Sequence, residues 1–355
     1  MRLDPAGVPL LNPGRRGIRA RRSMAALSGL ALLLAAGCSA SASPGGAVSG
    51  TVVIAAEPGV SNAAIYLARK DGLFAAEGLP HVEIRSYANQ AAVLAALQSG
   101  QADIAAADYG DIFYQQAQSH THDLRILADG YDATAGVLEI LTLPNSSITS
   151  PLGLVKAGVK VGLPDDDLLK VQPNAGIPPS LDAAAATSVL TGYMVQAQAD
   201  TVQWDAMSQQ QEVQDLQNHT LQAILVSEPY IYQAESELGA VEVLDACSGS
   251  TAGLPLLGYV AMSPWVKDQP GAVADFQAAL AKAQADASLE GQVQAVLPSA
   301  TDMTVQDADL ITVGSYPTAT SKDSLEQVVT LLTDFNVFSQ ADAPPVPPML
   351  VTSKG

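Results

Sequence analysis

The sequence predicts an α/β fold of two lobes, each built on a doubly wound parallel sheet. Two observations carry that reading. Short apolar or β-branched runs alternate with helical segments four times between residues 51 and 129, and the alternation resumes between 160 and 245. A length of 355 residues leaves room for both lobes, and 48% apolar against 15% charged residues suits well-buried sheets.

Each element has its own signal. TVVIAA (51–56) is a buried strand, broken by Glu57-Pro58-Gly59-Val60-Ser61-Asn62. Ser61 or Asn62 caps a helix that runs to Asp71-Gly72. A strand VEIRSY (82–87), a helix AAVLAALQ (91–98) closed by Gly100, and a strand DIAAA (103–107) follow. A helix over 109–118 and a strand LRILAD (124–129) complete the first series, and GVLEILTL (136–143) reads as an extended connection leaving it. The second series comprises KVGL (160–163), a helix over 181–195, TVQW (201–204), a helix over 207–218 and AILV (223–226). A helix opening at Ser227-Glu228-Pro229-Tyr230 and a strand AVEVLD (240–245) end it, and LLGYVAM (256–262) is the return crossing. Beyond it the chain is mostly helical. Leu325, Val328, Val329, Leu332 and Phe335 share one face at helical spacing, and PPVPP (344–348) is a tail or strap.

The formal net charge of -19 excludes nucleic acid and an anionic membrane surface as partners. At the N-terminus, five arginines between 15 and 22 precede a short apolar run and Gly37-Cys38. A basic stretch, an apolar core and small residues before a cleavage point define a secretory signal. The small-small-Cys ending resembles the bacterial lipobox, which implies lipidation at Cys38. The boundaries are then a lipoprotein signal peptide over 1–37, a tether over 38–50, a first lobe over 51–140, a second over 141–256, and a return with C-terminal helices over 257–355. Arg21-Arg22 leaves a twin-arginine route open. Without the signal, Cys247 is the one cysteine besides Cys38; no internal disulfide is available, and Cys247 reads as a small core residue.

Ligands of open α/β sheets sit beyond the carboxyl ends of strands, at helix N-termini. That rule selects Ser61 and Asn62 after the first strand, Tyr87 and Asn89 after the second, and Asp108, Tyr109 and Asp111 after the third. Asp165, with Asp166 and Asp167, occupies the matching loop of the second lobe, and Glu228 and Tyr230 follow a later strand there. Tyr131 and Trp204 are candidate stacking faces. Acids and aromatic residues outnumber arginines at these ends, which favours a nitrogenous heterocycle, pyrimidine- or flavin-like, or a cation over a sulfonate; backbone amides keep the sulfonate open. No GxSxG, HExxH or P-loop occurs, and His120-Thr121-His122 lacks a nearby third metal ligand, so no enzyme, cofactor or metal is expected.

AIYLARKDGLFAAEGL and AAVLAALQSGQADIAAA, with AILVSEPYIYQAE and MSPWVKDQPGAVADFQAAL downstream, closely resemble the binding proteins for sulfonates, taurine, nitrate and thiamine-pyrimidine precursors. The resemblance spans about residues 51–289. It implies the two-lobed type II periplasmic-binding-protein fold, with two crossings and a small-molecule ligand between the lobes. It also implies an ABC permease and its ATPase as partners, a monomer, and an extracytoplasmic place on the outer face of the cell membrane. In relatives the Glu228 and Tyr230 neighbourhood touches ligand. The second lobe departs from the pattern: the turn reads LVKAGVKVGL and the loop PDDDLLKVQPNAGIPPS is long and acidic, so an anion-binding role is not carried over directly. A ligand-sensing lipoprotein, or an enzyme like the fungal thiamine-pyrimidine synthase, are the alternatives; the synthase's cysteine-rich stretch is missing.

Overall fold

The computed structural model describes residues 50–118, 123–164 and 180–351. The signal peptide, most of the tether, Cys38, His120, His122 and Asp165 to Asp167 lie outside the described residues. The strands are β1 (Val52–Ala56), β2 (Val82–Ser86), β3 (Ile104–Asp108), β4 (Leu124–Asp132), β5 (Leu138–Thr142), β6 (Lys160–Pro164), β7 (Gln203–Met207), β8 (Ala223–Ser227), β9 (Val241–Asp245) and β10 (Pro255–Met262). They form two five-stranded sheets, ordered β2-β1-β3-β10-β4 and β7-β6-β8-β5-β9.

Neither sheet is purely parallel. β10 runs antiparallel to β3 and β4, and β5 runs antiparallel to β8 and β9. The reason is the connection itself. A strand arriving from the other lobe enters at the carboxyl ends of its new neighbours, so it must run against them. GVLEILTL is therefore not a bare connection: β5 is the fourth strand of the second sheet, and β10 holds the same place in the first.

Local sequence explains the elements. The helix Gln90–Gln98 starts where Asn89 accepts the Ala92 N–H at 2.9 Å, and the helix Gln209–Gln217, capped by Ser208, starts two residues later than expected. The helix expected over 181–195 ends at Leu190, and a separate turn, Gln196–Ala199, follows. Along β5, Ile140 joins the core shared by both sheets while Leu141 joins a smaller cluster with Val213 and Ile224, as a period of two requires. The shared core continues from Ile104 and Phe113 through Leu138 to Val161 and Leu190. Helix Lys322–Asp334 buries Leu325, Val328 and Leu332 and packs on helices from both sheets, Tyr109–Gln118 and Leu181–Leu190. The proline-rich end forms a short helix, Val346–Met349, and Leu350 bridges to Ile126 beside β4. Cys247 is free and buried.

Candidate functional site

The carboxyl ends of β1, β3, β6 and β8 converge on a cavity of about 1010 Å³. From the first sheet come Glu57, Ser61, Tyr87, Asn89, Gln90, Asp108 and Asp111; from the second come Pro164, Asp182, Ser208, Gln209, Ser227, Glu228 and Tyr230. Its size suits a small organic molecule.

Matching glutamines build the two walls. Gln90, the first residue of its helix, accepts the Asp108 N–H through Oε1 at 3.3 Å, and its amide donates to Glu57 Oε2 at 3.2 Å. In the second lobe Gln209 Oε1 accepts the Ser227 N–H at 2.7 Å. Each glutamine is 18 residues before the strand end it holds. The two lobes thus reuse one device: a side chain at a helix N-terminus ties off the last N–H of the neighbouring strand and fixes what projects beyond it.

The electrostatics are one-sided. Eight carboxylate side chains line the cavity, and no Lys, Arg or His is among the described lining residues. Burial pushes Glu57 up to about 6, against which its hydrogen bond from Gln90 works. Burial likewise raises Asp182 to about 6 and Asp111 to about 7, the latter helped by Asp182 and Glu57. Asp108 rises well above the carboxylate range, first through burial, then through Asp182, Asp111 and Glu57. Asp108 and Asp182 keep some exposure although protein surrounds them, because the water they meet is that of the cavity. Asp111 is 1% exposed and neither carboxylate oxygen has a hydrogen-bond partner. A helix N-terminus offsets a carboxylate by about 0.3–1 kcal/mol. Desolvating an ion costs several kcal/mol. The helix end alone does not balance Asp111.

The structure brings together most of the residues selected from sequence, with two corrections. Tyr109 is fully buried, stacked on Phe113 at 5.7 Å between ring centroids, and does not line the cavity. Asn62 is 1% exposed and does not line the cavity; it holds the N-cap position of the helix Ala63–Lys70 without a side-chain capping bond, and its amide donates instead to the Glu57 carbonyl at 3.0 Å, bracing the turn that presents Glu57. Tyr131 reaches the cavity wall, but its hydroxyl accepts the Gly314 N–H at 2.7 Å and its ring meets Tyr316 edge-on. Trp204, on the edge strand β7, does not line the cavity. Glu228 lines it while accepting the Tyr232 N–H at 3.1 Å and the Thr312 N–H at 2.9 Å, so it clamps its own helix to the C-terminal segment. Glu57, Gln90, Asp182 and Gln209 were missed. For the glutamines the equal 18-residue spacing was a usable signal.

The family model described as NMT1/THI5 like matches residues 60–295, and the chain belongs to that family. No curated protein matches the chain in sequence. Among solved structures, the ligand binding component of an ABC-type import system from Staphylococcus aureus, with zinc bound, is 14% identical, with a TM-score of 0.66 over 85% of this chain and 97% of that one. The periplasmic aliphatic sulphonate binding protein of Escherichia coli is 16% identical, with a TM-score of 0.61 over 80% and 86%. The desulfurization enzyme DSZB is 14% identical, with a TM-score of 0.59 over 84% and 95%. These likenesses establish the periplasmic-binding-protein fold. That fold carries both binding proteins and an enzyme, so the role must be argued from the site.

Proposed function

We propose that this protein is the extracytoplasmic solute-binding component of an ABC importer. The observation that carries the reading is the cavity itself, walled by strand ends of both sheets and lined with polar groups from each. A small nitrogenous molecule, pyrimidine- or flavin-like, that contacts both walls favours the closed arrangement by its differential affinity, and the closed form docks on a membrane permease whose ATPase drives release. A sulfonate fits less well, because eight carboxylates face the space it would occupy. No bond of the ligand is made or broken. The chain acts as a monomer, with one lobe from the segments before β5 and from β10 onward and the other from β5 to the residue before β10, two to three residues from the 140/141 and 256/257 bounds expected from sequence. Among the described residues no helix is long and apolar enough to cross a membrane. Lipidation at Cys38 would hold the protein on the outer face of the membrane beside its permease, each buried CH₂ contributing about 0.8 kcal/mol.

Thermal-shift screening of the purified protein against sulfonates, nitrate, pyrimidines, flavins and polyamines tests this reading, followed by calorimetric titration of whichever compound binds. Asp108→Ala is expected to weaken that binding about tenfold or more, as loss of a charged hydrogen bond worth about 1.5–3 kcal/mol requires, with Tm held or raised. Undiminished affinity in Asp108→Ala would remove Asp108 from the site. Silence across the whole screen counts against solute binding.

A further inference from the structure

Four of the cavity's eight carboxylates gather at one place, where the two lobes touch. Asp108 and Asp111 stand at the junction of β3 and helix Tyr109–Gln118, and Glu57 stands at the end of β1. Asp182 comes from the first turn of the second lobe's helix Leu181–Leu190. Gly110 makes this meeting close: a Cβ on it would lie 3.0 Å from Leu181 Cβ and 3.3 Å from the Leu181 backbone nitrogen. Two helix N-termini, each carrying a carboxylate, therefore abut across the lobes. Asp111 lines the cavity while 1% exposed, with both oxygens lacking a hydrogen-bond partner. No cationic side chain among the described lining residues neutralises the group.

We infer that the cavity takes an organic cation, whose positive charge is held between Asp108 and Asp111 of the first lobe and Asp182 of the second. This rests on the solute-binding reading above and names the charge of its ligand. A bare metal ion fits poorly, because among the described residues no three His, Cys, Asp or Glu side chains come close enough to hold one. Carboxylates spaced around a wider volume suit a diffuse charge, such as an alkylammonium, an amidinium or an N-alkylated heterocycle. Tyr87, Tyr230 and Tyr232 line the same space, and tyrosine faces attract such groups. The arrangement also explains how ligand is coupled to closure. Without it, Asp182 repels Asp108 and Asp111 across the lobe contact; with it, the same three groups bridge through the bound charge. A bound cation favours the ionised carboxylates, so binding releases protons and tightens as pH rises from 6 to 8.

Thermal shift and calorimetry with putrescine, spermidine, choline and thiamine as cations, and ethanesulfonate and nitrate as anions, decide the matter at pH 6 and pH 8 and constant ionic strength. At least one cation at millimolar concentration is expected to raise Tm by several degrees, more at pH 8 than at pH 6. Asp111→Asn is expected to weaken its binding at least tenfold while melting, unliganded at pH 8, no lower than the wild type. A cation response that Asp111→Asn retains in full overturns the placement of the charge. Stabilisation by ethanesulfonate or nitrate in place of the cations overturns the inference and leaves the solute-binding reading standing. No response to either set overturns the inference, and the solute-binding reading falls with it only if the pyrimidines and flavins of the wider screen are silent too.

Discussion

Between pH 5 and pH 8 the ligand-free protein is expected to lose stability, its Tm falling by about 10 °C. The cause is the set of carboxyls that burial pushes upward. Glu57 and Asp182 sit at about 6, Asp111, Asp132 and Glu139 at about 7, and Asp129 at about 8, and burial also raises Asp108 and Glu212 well above their ordinary values. In the unfolded chain the same groups titrate near 4. Each is neutral in the fold at pH 5 while its unfolded counterpart is largely ionised. The favourable protonated state is therefore fully present below about pH 4 and is lost between there and each folded-state value. One pKa unit corresponds to about 1.4 kcal/mol. Even with generous allowance for relaxation and water entry, the groups together remove roughly 5 kcal/mol, at about 2 °C per kcal/mol for a large domain. Melts followed by circular dichroism at four pH values and constant ionic strength check this; a flat or rising Tm would refute it. A saturating cation should flatten the profile, because it favours the ionised forms of the three carboxylates it touches.

The site was legible where a residue's place along the chain decides its surroundings. An apolar run of strand length ending in Asp108 puts that carboxylate at a sheet's carboxyl edge, and there it stands. One residue later the same logic fails, because chain position does not give side-chain direction. Where a strand turns into a helix, successive side chains diverge by roughly 100° or more, so Asp108 faces the cavity and Tyr109 faces the core. Asp182 was out of reach for another reason. It lies well beyond β6 in the chain, and only the approach of its helix to Gly110 makes it a wall of the cavity. Strand direction was illegible too: β5 and β10 are as apolar as their parallel neighbours, and antiparallel entry follows from where the chain crosses. The pairing of YANQ…IAAAD with AMSQ…AILVS was present in the residues all along. It went unread because the shared positions are few and the packed ones differ, with Val93 in one lobe standing where the other buries Glu212.

Tyr109→Ala is expected to destabilise the fold by about 3–5 kcal/mol, the usual cost of emptying a buried aromatic site, whereas Tyr109→Phe, which removes a buried hydroxyl that has no hydrogen-bond partner, is expected to shift stability by less than about 1 kcal/mol and to leave ligand affinity unchanged. Tyr109 lies beneath the first sheet at Gly258, where a Cβ would stand 2.5 Å from its Cζ and hydroxyl oxygen. Gly258 is paired with Ala107 on one side and Asp129 on the other, so β10 cannot shift to make room. The Tyr109 ring is held from below by Phe113, and its hydroxyl lies beside the Asp129 carboxyl. Gly258→Ala should therefore cost about 1–3 kcal/mol through overpacking alone. Combining Gly258→Ala with Tyr109→Leu should cost less than the two changes separately, since the smaller side chain vacates the space the methyl needs. Urea midpoints at constant m-value measure the wild type and each variant, Tyr109→Leu alone included. Additive losses would mean that glycine and tyrosine do not share this space. Adjacent positions are expected to carry opposite signatures: a substitution at Asp108 weakens ligand binding and spares the fold, and one at Tyr109 removes the fold's support and spares the ligand. That separation is what a strand end at a lobe contact imposes, because one backbone turn must serve the cavity with one side chain and the core with the next.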